Sequence, residues 1–295
     1  MSQQKVDLLV PRDFGSLLQD SIQFFIENFK PLGKAILMYA GPLMLIQGIA
    51  LGLYQSKILQ IQQEAISNPS DASDPFAVFG DLMQSFFTTE FWVSTLFGLL
   101  VYAMLISLVN HYLILYLDKG PGNFNEEDLR SGAFSDFGTN LLAIVVTGIL
   151  LGIAAMFFVF PAIYVFVPLS LIFMTMKYEQ IGMGAALSRT FTLVKGHWWQ
   201  TFGLIFILSI LVAMVAFIFQ IPLTLSSFTS LLGIEAFSSK TFMIVAGLVA
   251  TVGRGVLQAV VIIGIGLQFF NILGLSGDGN SLEDRIDEIG REFSP

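Results

Sequence analysis

The 295-residue chain has no cysteine and only two histidines, His111 and His197. Without thiols there is no disulfide framework, no thiolate zinc site and no cysteine nucleophile. The chain also carries no HExxH, no phosphate-binding P-loop and no GxSxG elbow, so the usual signatures of zinc hydrolases, nucleotide-binding loops and serine hydrolases are missing. Charge is scarce. Asp, Glu, Lys and Arg make up 12% of the residues, about half of what a soluble domain carries. The net charge of −8 argues against nucleic acid, which needs a basic face. No acidic residue lies well inside an apolar run, which removes the paired aspartates of intramembrane proteases and the carboxylates of most proton-coupled transporters. The opening MSQQKVDLLVPRDFG has no apolar core before a small-residue cleavage site, so a secretory signal peptide is not expected. No catalytic residue, cofactor or metal site is predicted.

What the chain does have is apolar residues, 55% of the total, with 29 phenylalanines and a mean hydropathy of +0.76. A helix needs about 20 apolar residues to cross about 30 Å of hydrocarbon. Candidate spans are Ala35–Tyr54, Phe91–Leu117, Leu141–Phe160, Ala162–Met176, Thr201–Ile221 and one within Thr241–Leu273. Leu141–Met176 is apolar almost throughout, and Pro161 and Pro168 each remove a backbone donor and break a long helix. It reads either as two short spans turning at Pro161 or as one span with a re-entrant appendage.

Basic residues collect on cytoplasmic loops. Six spans place 11 of the 14 Lys and Arg inside, with Lys57 and Lys240 outside and Arg254 within an apolar stretch. The predicted fold is an all-α, six-transmembrane-helix bundle with interfacial amphipathic helices and both termini cytoplasmic. Residues 1–34 form a cytoplasmic N-terminus with an interfacial helix, 35–273 the bundle, and 274–295 a cytoplasmic amphipathic tail. Outer loop 55–90 is acidic, and its core Asn68–Pro75, NPSDASDP, reads as a turn or flexible segment.

Two stretches resemble each other. Phe14–Gly33 and Met183–Phe202 align without gaps at an offset of 169, pairing Gly15 with Gly184, Leu18 with Leu187, Ser21 with Thr190 and Phe29 with Trp198. Each reads as an amphipathic helix at the cytoplasmic interface (the second over residues 180–199) that feeds a span. Phe29, Trp198 and Trp199 are the expected interfacial anchors. A duplication here would be parallel rather than inverted; duplication and chance similarity of apolar helices both stand at this level.

The polar residues inside the spans are the candidate site. Thr251, Gln258 and Gln268 fall within roughly 60° of Arg254 on a helical projection, a stripe suited to a polar pathway or a lipid headgroup. The competing role for Arg254 is anchoring, with the guanidinium snorkelling to an interface and the residues before it lying along that interface. Ser107, Asn110 and His111 share a face of the second span and suit hydrogen bonding between helices, here expected toward the Arg254 stripe. Gly48-x-x-x-Gly52 and Gly148-x-x-x-Gly152 permit close helix approach. Tail residues Leu282, Ile286, Ile289 and Phe293 recur at helical spacing on an acidic helix suited to docking on the protein itself or on a membrane partner.

One segment carries a family pattern. PAIYVFVPLS (Pro161–Ser170) is followed by EQIGMGAALSRTFTLVKGHWW (Glu179–Trp199) and then by a span. These residues resemble the membrane domain fused to some glycerophosphodiester phosphodiesterases, and related stand-alone bacterial membrane proteins. The match covers Pro161–Gly203; beyond it only the span pattern agrees. The catalytic barrel of such enzymes has no counterpart in this chain, so the resemblance implies architecture and a bacterial cytoplasmic membrane, and no catalytic activity. The expected role is a non-catalytic scaffold or accessory subunit of an inner-membrane assembly, contacting partners through its tail or interfacial helices. The alternative is a transporter, channel or lipid-handling protein working through the stripe around Arg254.

Overall fold

The computed structural model describes residues 7–67, 79–80, 83–231, 237 and 239–276, and every regular element among them is helical. They are α1 (Phe14–Glu27), α2 (Phe29–Ala35), α3 (Gly41–Ser67), α4 (Thr89–Lys119) and α5 (Glu126–Phe157). Then come α6 (Val159–Ser170), α7 (Ile172–Glu179), α8 (Met183–Leu193), α9 (Trp198–Leu231) and α10 (Lys240–Ser276). Six stretches are long and apolar enough to cross a membrane: Phe29–Ile61, Thr89–Lys119, Glu126–Phe157, Val159–Glu179, Trp198–Thr229 and Lys240–Leu275. The protein is an all-α multi-pass membrane protein. The tail helix expected at Ser281–Phe293 and the Asn68–Pro75 turn lie outside the described residues.

Local chemistry sets the helix ends. Asp13 caps α1, its side chain accepting from the Ser16 amide at 2.7 Å. That amide, and then the Ser16 side chain, hold the Asp13 carboxyl below the ordinary aspartate range. Asn125 and Asp128 cap α5 reciprocally, the Asp128 amide donating to Asn125 Oδ1 at 2.8 Å and the Asn125 amide to Asp128 Oδ2 at 3.1 Å. Between α2 and α3 the chain widens into a π turn, Ile36–Ala40, closed by the Gly41 amide on the Ile36 carbonyl. Pro42 offers no N–H to the Met38 carbonyl and would crowd it, and the wider turn absorbs that conflict.

The apolar stretch Leu141–Met176 becomes two helices, but the break is at Phe158, not at Pro161. Phe158 is fully extended (φ 173, ψ 164). Pro161 instead occupies the first turn of α6, where the missing N–H would have had no helical partner anyway. The two helices fold back on each other: Asp136 and Lys177 pair at 2.7 Å across the open end. About two turns further along α5, Ala143 packs with Ile172, Met176 and Ala186 of α8.

Pro168 has a further consequence. It leaves the Tyr164 carbonyl without its i+4 donor, and the helix breaks soon afterwards at Leu171. The indole N–H of Trp198 takes up that carbonyl at 3.1 Å, with the Trp198 ring stacked on Tyr164 at 5.8 Å.

The chain forms two compact units. One comprises Met1–Gly33, Ile106–Leu211 and Ala259–Pro295; the other Lys34–Leu105 and Val212–Gln258. In the first, the apolar stripe of α1 that sequence periodicity marks as interfacial is covered by protein. Leu17 and Phe24 are fully buried. Phe24 meets Tyr116 and Tyr112 edge-on at 4.8 and 6.2 Å, and the Tyr112 hydroxyl donates to Asn28 Oδ1 at 2.8 Å. Burying a side chain of this size stabilises by about 1.5–3 kcal/mol. The N-terminal arm is held by Arg12, whose side chain is 6% exposed and pairs with Asp20 at 2.6 Å. Its guanidinium also donates to the carbonyls of Leu8, Val10 and Asp7, while its backbone N–H donates to Asn271 Oδ1 at 2.7 Å.

The two similar stretches also share element boundaries. α1 and α8 begin at Phe14 and Met183, and the helices that follow begin at Phe29 and Trp198, both pairs 169 residues apart. The buried positions Leu17, Ser21, Phe24 and Phe25 map at that same offset onto Ala186, Thr190, Leu193 and Val194, all buried.

Candidate functional site

The second unit is assembled on glycines. Gly48 and Gly52 of α3 face Gly247 of α10. A Cβ on Gly48 would stand 2.8 Å from Leu248 Cα, and one on Gly52 would land on the Met243 carbonyl. On the next two turns of α10, Gly253 takes the Phe219 ring of α9 and Gly255 the Met44 side chain of α3. The Gly48/Gly52 motif is therefore a packing seam. Gly148 and Gly152, identical in spacing, face open space. The residues before Arg254 pack on protein: Met243, Ala246 and Ala250 are buried in one apolar cluster with Leu59 and Leu223.

Close approach at the seam leaves an open-sided cavity of about 550 Å³ between α3, α4, α9 and α10. α3 contributes Gln47 and Gln55, which sit on either side of Leu51; α4 contributes Tyr102; α9 contributes Gln220. α10 contributes Thr251, Arg254 and Gln258, spaced at about one helical turn. Four amides, two hydroxyls and a guanidinium thus belong to the lining residues, and the described lining residues include no carboxylate and no imidazole.

Among the described residues these polar side chains make no hydrogen bonds with the protein. Thr251 is 7% exposed, yet its hydroxyl is buried without a partner. Four other buried helical threonines, Thr147, Thr175, Thr201 and Thr229, turn their hydroxyls back onto the i−4 carbonyl at 2.7–2.9 Å. Thr251 does not. Arg254 departs from the other arginines in the same way. Arg12, Arg130 and Arg189 pair with Asp20, Glu127 and Glu179, whereas Arg254 is exposed at the cavity and has no carboxylate partner among the described residues.

The predicted polar residues divide into two sets. Thr251, Arg254 and Gln258 share the cavity. Gln268 does not: in the first unit its amide donates to Thr201 Oγ1 at 2.8 Å and its carbonyl accepts from Asn271 at 3.3 Å. The expected bond between the Ser107 cluster and the α10 stripe is replaced by bonds to α5. Ser107 accepts from Asn140 at 2.9 Å, His111 Nε2 lies 3.2 Å from the Asp128 carbonyl, and the His111 ring sits against Gly132. Asn110 is buried. Of the expected anchors, Trp198 is tied to Tyr164, while Trp199 is 77% and Phe29 48% exposed.

Gln47, Gln55, Tyr102 and Gln220 were not singled out by the sequence. The available signal was a lone amide inside an apolar run, repeated on α3 and α9, with Gln47 and Gln55 two turns apart on one face.

Chemically the cavity suits binding. A guanidinium offers a planar fork of donors, and each amide offers both donors and an acceptor. The described lining residues do not pair a nucleophile with a base. Among the described residues no group of three or more His, Cys, Asp or Glu side chains is placed to hold a metal ion. Comparison of the chain with family models, with curated proteins and with solved structures gives no match.

Proposed function

We propose that the protein is a non-catalytic transporter or lipid-handling protein that takes a small polar ligand into the cavity of its second unit. The carrying observation is the buried Thr251 hydroxyl beside Arg254 and four amides, all without a bonding partner among the described residues. A buried hydroxyl without a partner costs about 1–3 kcal/mol, and an arginine within a span about 2.5–3.5 kcal/mol on insertion scales. Apolar residues would close the same bundle more favourably. A cavity of about 550 Å³ lies within the range of small-molecule sites. The scaffold reading leans on the 274–295 tail, most of which lies beyond the described residues. The basic-residue asymmetry supports cytoplasmic termini, and the resemblance of Pro161–Gly203 to bacterial membrane proteins supports a bacterial cytoplasmic membrane.

The absence of cysteine gives a clean test. Single cysteines at Gln220 and Gln258, with Met214→Cys as the exposed apolar control on α9, are treated in lipid nanodiscs with a charged, water-soluble thiol reagent. A thiol ionises and reacts only where water reaches it. The cavity cysteines should react at least about tenfold faster than the control. Equal, slow rates at all three positions would overturn the reading.

A further inference from the structure

We infer that the ligand is an anion that also carries hydroxyl groups, such as a phosphorylated or carboxylated polyol, free or as a lipid headgroup. This rests on the reading of the cavity as a ligand site and adds the chemical class of the ligand. The anionic half follows from Arg254. Its guanidinium lines the cavity with no carboxylate beside it among the described residues, and none of the described lining residues is acidic. A cationic ligand would meet uncompensated repulsion there. A neutral one would leave the guanidinium unpaired, whereas phosphate or carboxylate accepts its fork of N–H donors bidentately.

The hydroxyl half follows from counting donors and acceptors. Gln47, Gln55, Gln220 and Gln258 each bring a carbonyl oxygen as well as an NH₂ group, and none is bonded to the protein among the described residues. An anionic group supplies acceptors only and cannot satisfy four amide oxygens. The ligand must therefore bring donors of its own. Ammonium donors are disfavoured by Arg254 in a lining whose described residues include no carboxylate, and hydroxyls are the neutral donors proposed. Tyr102 adds a hydroxyl that donates or accepts as the ligand's orientation requires. A site built to bond hydroxyls discriminates strongly against an analogue lacking them, because its own buried polar groups are then stranded.

The test uses the full chain in nanodiscs of neutral lipid, with glycerol 3-phosphate, glycerol and inorganic phosphate as soluble probes. In parallel, native mass spectrometry counts phosphatidylglycerol, phosphatidic acid and phosphatidylcholine retained from mixed nanodiscs. Glycerol 3-phosphate binding about tenfold or more tighter than glycerol or phosphate, and lost in Arg254→Gln, supports the inference with a free solute as source. Selective retention of phosphatidylglycerol over both other lipids, again lost in Arg254→Gln, supports it with a headgroup as source. Gln258→Met should weaken the hydroxylated probe while leaving inorganic phosphate unchanged, which keeps the test open if the arginine variant does not fold. Glycerol binding as tightly as glycerol 3-phosphate would overturn the anionic half and leave the cavity reading standing. Phosphate and phosphatidic acid binding as well as their hydroxylated counterparts would overturn the other half. If no probe binds although the cavity cysteines react, the ligand class is wrong; if the cysteines do not react either, the cavity reading falls with it.

Discussion

The two units use the same side chains to opposite ends. In the first, Gln268, Thr201 and Asn271 form a bonded chain, and Ser107 accepts from Asn140. In the second, Gln47, Gln55, Gln220, Gln258 and Thr251 converge on one cavity, and among the described residues their side chains bond to no protein neighbour. Polarity within a span is therefore not informative by itself. Where each donor finds an acceptor on the neighbouring helix, the group holds helices together. Where the groups converge and stay unpaired, they are available to something that is not protein.

The harshest way to break this contrast is to pry open the second unit's seam. Gly52→Leu or Gly247→Leu would drive a side chain into the backbone of the opposing helix. A loss of about 3 kcal/mol or more is expected, at the upper end for overpacking, seen as a large drop in apparent Tm and loss of labelling contrast at Gln258→Cys. Gly148→Leu and Gly152→Leu place the same side chain where nothing stands within 4 Å. Those two should leave Tm nearly unchanged, and a comparable drop would show that the seam is not what distinguishes the motifs.

Substitutions that keep shape and remove polarity should reverse sign between the units. Thr201→Val strands the buried Gln268 amide and should cost about 2 kcal/mol. Thr251→Val removes a hydroxyl that has no protein partner among the described residues and should stabilise by about 1 kcal/mol, seen as a higher apparent Tm, while weakening ligand retention. Matching the two variants in one thermal-unfolding series checks this. A loss of stability in both would mean that Thr251 is bonded after all and would remove the main support for the site.

Much of the fold was legible because spans are read from composition alone: long apolar runs need no partner to be recognised. The Arg254, Gln258 and Thr251 stripe was legible for a related reason, since helical spacing fixes which residues of one helix share a face. The rest depended on which helix lies opposite, and no single-helix pattern contains that. Gln268 lies on the same projected stripe as Arg254 yet bonds to Thr201 in the other unit. Gln47 and Gln220 each looked like an isolated polar residue until α3, α4, α9 and α10 were brought around one space. The turn at Phe158 was misplaced because Pro161 was read as a breaker, although a first-turn proline is compatible with a helix.

Smaller effects separate the two adjacent tryptophans of the first unit. Trp198→Phe keeps an aromatic ring to stack on Tyr164 and deletes the N–H that reaches its carbonyl. Because Pro168 cannot supply that hydrogen bond, about 1 kcal/mol should be lost. Trp199→Phe, at an exposed position, should stay within about 0.5 kcal/mol of the parent.

The smallest effect expected is at the α1 cap, and its sign is fixed by the Ser16 hydrogen bonds. They lower the folded pKa of Asp13 below its ordinary value of 3.8, so the carboxylate's contribution is present above the unfolded pKa and fades as pH falls through the folded one. Asp13→Asn keeps a capping oxygen and drops the titration. Apparent Tm of the parent should therefore fall toward that of Asp13→Asn below about pH 4, with the parent slightly ahead at neutral pH. Parallel curves across that window would mean that the cap charge contributes nothing to holding α1, and that the buried face of Leu17 and Phe24 alone keeps it in place.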